Sequence, residues 1–309
     1  MRNPMRIARK SKLYKGPITP MSEKSFSTAK PLEPGLYMVS TPIGAARDIT
    51  LRALDILASA DVLAAEDTRT LRHLMEIHAV ALNGRHVVPY HDHNGERALP
   101  RLLADLRDGK TVAYASEAGT PLISDPGFEL TRAARDEGLP VFAAPGASAV
   151  LYALTVAGLP TDRFLFAGFP PSAKAARQTF LRDLAPLQAT VVLYESPNRI
   201  NQLLDDLAQT HGQTRFAAVC RELTKRFEEV TRGTISDLQA AFAGRDIKGE
   251  VVLVIDRAAQ QKASAETVEQ ALDQALTQMT MKDAAAAVAE AFGLPRRDVY
   301  QMALTRAQR

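Results

Sequence analysis

From Leu36 onward, short apolar runs alternate with amphipathic stretches, and that alternation restricts the chain to an α/β fold. Leu36–Ser40, Asp61–Ala65, His86–Tyr90, Thr111–Ala115 and Pro140–Ala144 read as strands. Leu51–Ser59, Thr68–Ile77, Glu96–Arg107, Phe128–Asp136 and Ser148–Val156 read as the helices that connect them. A strand–helix repeat of this kind predicts a mostly parallel sheet covered on both faces. Asp48 or Thr50 is placed to cap the first helix, and Gly109 to end the third.

Gly158-Leu-Pro160 marks a boundary. Beyond it, Arg163–Ala167, Ala189–Glu195, Phe216–Arg221, Glu228–Gly233 and Glu250–Asp256 predict a second, mixed sheet. One helix falls between the first two of these strands and another over Asn198–Thr210. The Ala-rich end predicts helices over Ala265–Met279, Lys282–Phe292 and Arg296–Arg306, the last two separated by Gly293-Leu-Pro295. The expected division is a disordered basic tail over 1–34, an N-terminal α/β domain over 35–158, a C-terminal α/β domain over 159–258 and a helical unit over 264–309.

Charge bears on which partners are open to the body of the chain. The net charge is +3, but residues 1–32 hold eight bases and one acid, so the rest carries a net negative charge. A nucleic-acid site on the body must then be a local basic patch. The tail itself reads as an over-extended start, an RNA-contacting arm or a transit peptide. The single cysteine, Cys220, excludes an internal disulfide and a multi-cysteine metal site. It fits a reducing compartment such as the cytoplasm. No apolar run of the roughly 18 residues a membrane span needs is present, so no membrane partner is expected.

Three Gly- and Pro-bearing loops follow predicted parallel strands: Thr41–Gly44, Ser116–Gly127 and Pro145–Ser148. Ligands of open α/β sheets sit outside the carboxyl ends of the strands, where such loops let backbone approach closely. No dinucleotide fingerprint and no phosphate-binding P-loop occurs. Glu66-Asp67-Thr68-Arg69 and His91-Asp92-His93-Asn94 add acids and imidazoles nearby. The His-x-His pair has metal-ligand character, but no further ligand stands at metal spacing, and no metal is expected.

These segments resemble the tetrapyrrole-methylase superfamily, and within it the branch that methylates small-subunit ribosomal RNA. The resemblance rests on Leu36–Gly44, Asp48–Leu54, Ala64–Arg69, Tyr90–Asn94, Ala118–Pro121, Ile123–Gly127, Gly158–Phe164, Tyr194–Pro197, Arg221–Lys225 and Gly249–Val254. It runs from about Leu36 to the C-terminus. Ala45, Glu117, Leu122, Ala147 and Asn198 depart from the usual Asn, Asp, Gly, Pro and His. The loop after Phe169 is less basic than usual, keeping Lys174 and Arg177.

The resemblance implies a two-domain α/β tetrapyrrole-methylase-like fold with a C-terminal helical unit, usually homodimeric. It also implies S-adenosylmethionine in the cleft between the domains. The expected reaction is methylation of the ribose 2′-OH of a decoding-centre cytidine in 16S rRNA of the 30S subunit. A tetrapyrrole methylase of the same fold and a non-enzymatic ribosome-assembly factor are the other readings. Pro42, Ile43, Gly44, Gly119, Thr120, Pro121, Ile123, Ser124, Asp125, Ser148, Ala149 and Tyr194 are expected at the cofactor. Asp67, Glu66 and His91 are candidate general bases, with Asp67 preferred although Arg69 beside it would weaken it. Arg69, Arg72, Arg163, Lys174, Arg177 and Arg199 are the expected phosphate contacts.

Overall fold

Strands buried on both sides must alternate which helix layer each side chain meets, and the first sheet does so. The chain is described from a computed structural model covering residues 31–91, 94–259 and 265–307. The first sheet contains β1 (Gly35–Val39), β2 (Val62–Ala65), β3 (Val87–Pro89), β4 (Thr111–Ala115) and β5 (Val141–Ala144) in the order β3-β2-β4-β1-β5. Every adjacent pair in it is parallel. Tyr37, Val39, Leu63, Ala113 and Ala115 pack with Leu54 and Leu57 of α1 (Leu51–Ser59) and Leu71 and Met75 of α2 (Thr68–Ile77). Leu36, Met38, Ala64, Val112 and Tyr114 face the other way. They meet Leu102 and Leu106 of α3 (Gly95–Arg107) and Leu130 and Ala134 of α4 (Phe128–Asp136). The fifth helix, α5, spans Ala149–Ala157. Thr50, one of the two expected caps, accepts from the Ala53 amide of α1.

The second sheet has the order β6-β7-β10-β8-β9, with β6 (Phe164–Phe166), β7 (Thr190–Glu195), β8 (Phe216–Arg221), β9 (Glu229–Thr234) and β10 (Val251–Ile255). It is mixed, because β7 pairs parallel with β6 and antiparallel with β10. Val191, Leu193, Val219, Leu253 and Ile255 pack under α6 (Lys174–Leu184), α7 (Ile200–His211) and α8 (Ile235–Phe242). Periodicity alone does not predict α8. Its start is a capping box in which Thr234 and Asp237 bond each other's backbone amides. The last three helices, α9 (Ala265–Leu276), α10 (Met281–Phe292) and α11 (Arg296–Ala307), share a small core around Val268, Leu272, Val288 and Val299.

The chain divides into two compact units: residues up to 156 with 220–229, and residues 157–219 with 230–309. The segment 220–229, which runs from the end of β8 to the start of β9, is therefore part of the first unit although it lies far along the chain.

His211 ends α7 only 9% exposed, with Nδ1 2.9 Å from Thr210 Oγ1. Burial, with Arg215 adding repulsion, pushes its pKa down to about 4. The unfolded chain therefore takes up this proton first as the pH falls, so the stability that the neutral ring provides is present above about pH 6.5 and is lost toward pH 4. The expected loss is about 3 kcal/mol. Urea unfolding across that window should show it, and His211→Leu should flatten that part of the profile.

Candidate functional site

Strand order brings the three Gly/Pro loops together. Both β4 and β5 flank β1, so the chain leaves their carboxyl ends side by side. Hydrogen bonds then tie the loops to one another. Thr41 and Gly119 exchange both backbone bonds, at 2.9 and 3.1 Å, as an antiparallel bridge beyond the parallel strands. The Ser40 amide donates to Ala144 O at 3.2 Å. Thr120 Oγ1 donates to Ala147 O at 3.0 Å, joining the second loop to the third. Ser116 Oγ donates to Gly119 O at 2.6 Å, and Thr41 Oγ1 to Ser116 O at 3.2 Å. Ser40, Thr41 and Ser116 are buried polar groups that serve as rivets.

Backbone strain collects in these loops. Gly119 and Gly127 have φ of 87° and 120°, and Leu122 and Ser124 adopt φ of 72° and 62°. A left-handed conformation costs a residue with a Cβ on the order of 1–2 kcal/mol. Leu122 departs from the Gly that the resemblance leads one to expect, and its φ lies in the region that favours glycine. Ile123 is 38% exposed on the same turn. Pro121 is buried, while Asp125 and Ser148 are half-buried. Ser148 O accepts from the Tyr152 amide at the start of α5.

The first loop is held from a second direction by residues that sequence reasoning left without a role. The Ala45 amide donates to Thr224 Oγ1 at 3.0 Å. A Cβ at Gly44 would lie 2.6 Å from Thr224 Oγ1 and from Lys225 Cγ. Glu222 and Thr224 have φ of 52° and 63°, so this segment too is strained. Lys225 Nζ pairs with Glu222 at 3.0 Å, and the Thr224 amide donates to Glu228 at 2.6 Å. The Arg221–Lys225 motif was a signal for these residues, but nothing in its spacing says where it packs.

Of the three candidate bases, Asp67 is the N-cap of α2. Its Oδ1 accepts from the Arg69 and Thr70 amides at 2.7 and 3.2 Å, and its Oδ2 meets Arg69 Nη2 at 3.3 Å. Those bonds hold its carboxyl below the usual carboxylate range, which makes it a weak base. Glu66 Oε2 accepts from the Glu117 amide at 3.4 Å, which brings it to the second loop. The His91 amide donates to Asn94 Oδ1 at 2.8 Å; His93 lies outside the described residues. Among the described residues, no group of three or more His, Cys, Asp or Glu is placed to hold a metal, and no helix is long and apolar enough to cross a membrane.

The basic residues divide. Arg69 and Arg72 are exposed on the first turns of α2. In the second unit, Arg163 and Lys174 are exposed. Arg163 borders a shallow open depression with Asp162, Gln188 and Arg257. Arg177 corrects the expectation of a phosphate contact: its side chain is 5% exposed and bonds Asp206 Oδ2 at 2.7 Å and Ser172 O at 2.9 Å. Its spacing along α6 points it into the core. Arg199 is mostly committed as well, to Pro170 O, Pro171 O and Glu195. Tyr194 stands edge-on to both Phe166 and Phe169.

The model of the tetrapyrrole (corrin/porphyrin) methylases matches residues 35–239, a span that contains the parallel sheet and the loops knitted at its rim, and this sets the class of the protein. The RsmI C-terminal HTH domain matches residues 262–307. The chain is 43% identical to a ribosomal RNA small subunit methyltransferase I of Mesorhizobium japonicum, over 89% of this chain and 93% of that one. It is 39% identical to the protein of that name in Halalkalibacterium halodurans, over 86% and 93%. The chain belongs to the ribosomal RNA small subunit methyltransferase I family. In fold it also resembles the uroporphyrin-III C-methyltransferase of Thermus thermophilus, solved with S-adenyl homocysteine, at a TM-score of 0.51 and 19% identity over 72% of this chain and 97% of that one.

Proposed function

We propose that this chain methylates the ribose 2′-hydroxyl of a decoding-centre cytidine in 16S rRNA, using S-adenosylmethionine. On this reading it is a cytoplasmic homodimer that acts on the 30S subunit. Family membership supports the RNA substrate, and the three loops tied at one sheet edge are the observation that carries the cofactor reading.

The loop chemistry fits a nucleoside with an amino-acid tail. Exposed backbone at Gly44, Pro145 and Gly146, the hydroxyls of Thr120 and Ser148 and the turn at Ile123–Ser124 offer hydrogen-bonding groups without a charged cage. A Cβ at Gly146 would meet the Cβ of Ser40 at 2.7 Å, so glycine there lets the chain after β5 approach the chain after β1 closely. When bound, S-adenosylmethionine supplies an activated methyl group on a sulfonium, so the protein's task is alignment. Pro42, Ile43 and Gly44 wall one side of the proposed pocket. Gly119, Thr120, Pro121, Ile123, Ser124, Asp125, Ser148 and Ala149 are proposed for the rest of it, and Tyr194, in the second unit, is the remaining cofactor candidate.

Asp67 in this account caps α2 and steers Arg69 toward phosphate, while Glu66 and His91 are the groups left to take the hydroxyl proton. Asn caps helices about as well as Asp. Asp67→Asn should therefore keep its melting temperature, and its turnover should stay within about tenfold of wild type; loss of the 10²–10⁴-fold that a general base contributes would return the base role to Asp67. Steady-state transfer of labelled methyl to 30S subunits, with unfolding of both proteins as the control, decides between them.

A further inference from the structure

Two arginines of the second unit are spent on a single loop. Arg177 donates to Ser172 O at 2.9 Å while paired with Asp206, and Arg199 donates to Pro170 O and Pro171 O at 2.8 and 3.0 Å. The Tyr194 amide donates to Gly168 O at 3.0 Å. Four carbonyls of the segment 168–172 are thus pinned, and two consecutive prolines stiffen it further. A buried ion pair adds little net stability over an apolar pair of the same size, so its effect here is to hold a geometry.

What that geometry presents is a ring. Phe169 is 57% exposed. It meets Tyr194 edge-on, with centroids 5.5 Å apart and planes at 66°, and Tyr194 meets Phe166 edge-on at 4.7 Å and 61°. The edge-on ladder stops the outer ring from folding down onto the protein. Lys174, also exposed, opens α6 just beyond the loop, and its N-cap residue Ala173 offers no side-chain acceptor to the first turn. A held, exposed ring five positions before an exposed lysine suits a planar group that carries a phosphate. Unstacked bases of single-stranded RNA have that chemistry.

The geometry points to Phe169 as a stacking platform for an unpaired base of the RNA substrate, with Lys174 facing the adjoining phosphate and Arg177 and Arg199 as positioning residues. The choice of RNA rests on the functional reading above; the platform itself rests on the loop.

The chain contains no tryptophan, so Phe169→Trp places a single indole at the proposed contact. Titration with a short single-stranded oligocytidylate should quench its emission, and the same sequence in a duplex should not. Phe169→Ala and Phe169→Leu should both weaken binding of that oligonucleotide by roughly 5–100-fold, since neither stacks. Their circular dichroism and unfolding midpoints should match wild type. Wild-type affinity in Phe169→Leu would overturn the platform. So would emission that ignores RNA and changes only with protein concentration, which would mark a second copy of the chain on the ring. The titration needs no methyl transfer. Transfer to 16S rRNA by the wild-type chain without quenching in Phe169→Trp overturns the platform alone; quenching without any transfer supports the platform and overturns the methylation reading.

Discussion

Gly146→Ala should lower methyl transfer by about 10²-fold while the protein stays folded, an effect of the size that a misplacement of about 1 Å produces. The added Cβ would sit 2.7 Å from the Cβ of Ser40, a separation real side chains essentially never show. Ser40 follows β1 and Gly146 follows β5, so the clash pushes apart two of the loops proposed to hold the cofactor. Gly146 does not need a left-handed backbone, so crowding alone is at issue. Calorimetric titration with S-adenosylmethionine should show weakened affinity in the variant. Ser40→Gly in the same chain removes the opposing carbon and should restore most of both quantities. A single variant that binds and turns over like wild type would mean that these two loops do not act jointly.

The largest effect on stability is expected at Asp206. Removing its carboxylate in Asp206→Ala leaves the Arg177 guanidinium, 5% exposed, without the anion that balances it, and also strips Gln178 of a 2.7 Å partner. Breaking a buried pair from one side costs about 3–5 kcal/mol, a large part of the roughly 5–15 kcal/mol that holds a domain folded. Replacing both members, Arg177→Met with Asp206→Leu, should recover most of that stability, because well-packed apolar groups of similar volume substitute for such pairs. The double variant still lacks the donor to Ser172 O, so it should fold yet bind single-stranded RNA less tightly than wild type. Chemical denaturation of the three proteins beside an RNA titration separates the two contributions. A single variant as stable as wild type would contradict the account of the pair.

Much of this was legible in the sequence because the governing signals are local. Leu36–Val39 and Val112–Ala115 are apolar at every position, which predicts buried parallel strands before any contact is known. The loops after β1, β4 and β5 announce themselves by Gly and Pro. Long-range pairing was not legible. Arg177 looks like surface beside Lys174, and only the fold brings Asp206, twenty-nine positions away, against it. Thr224 and Lys225 lie far along the chain from Gly44, and nothing in their spacing says that they pack on it. The helix α8 was legible in principle, since Thr234 and Asp237 have capping-box spacing, but its short apolar pattern merges with the strand before it. Asp67 shows how one residue supports two readings. Its carboxylate suggests a base in the sequence, and its position one residue before α2 makes it a cap in the structure.

The site of methylation is the most direct measurement of the central claim. Thirty-S subunits lacking the modification would be incubated with this chain and S-adenosylmethionine labelled in the methyl group, and the 16S rRNA digested to nucleosides. The account predicts that the label appears as 2′-O-methylcytidine. Label on a base, or none on RNA despite an intact fold, would contradict it.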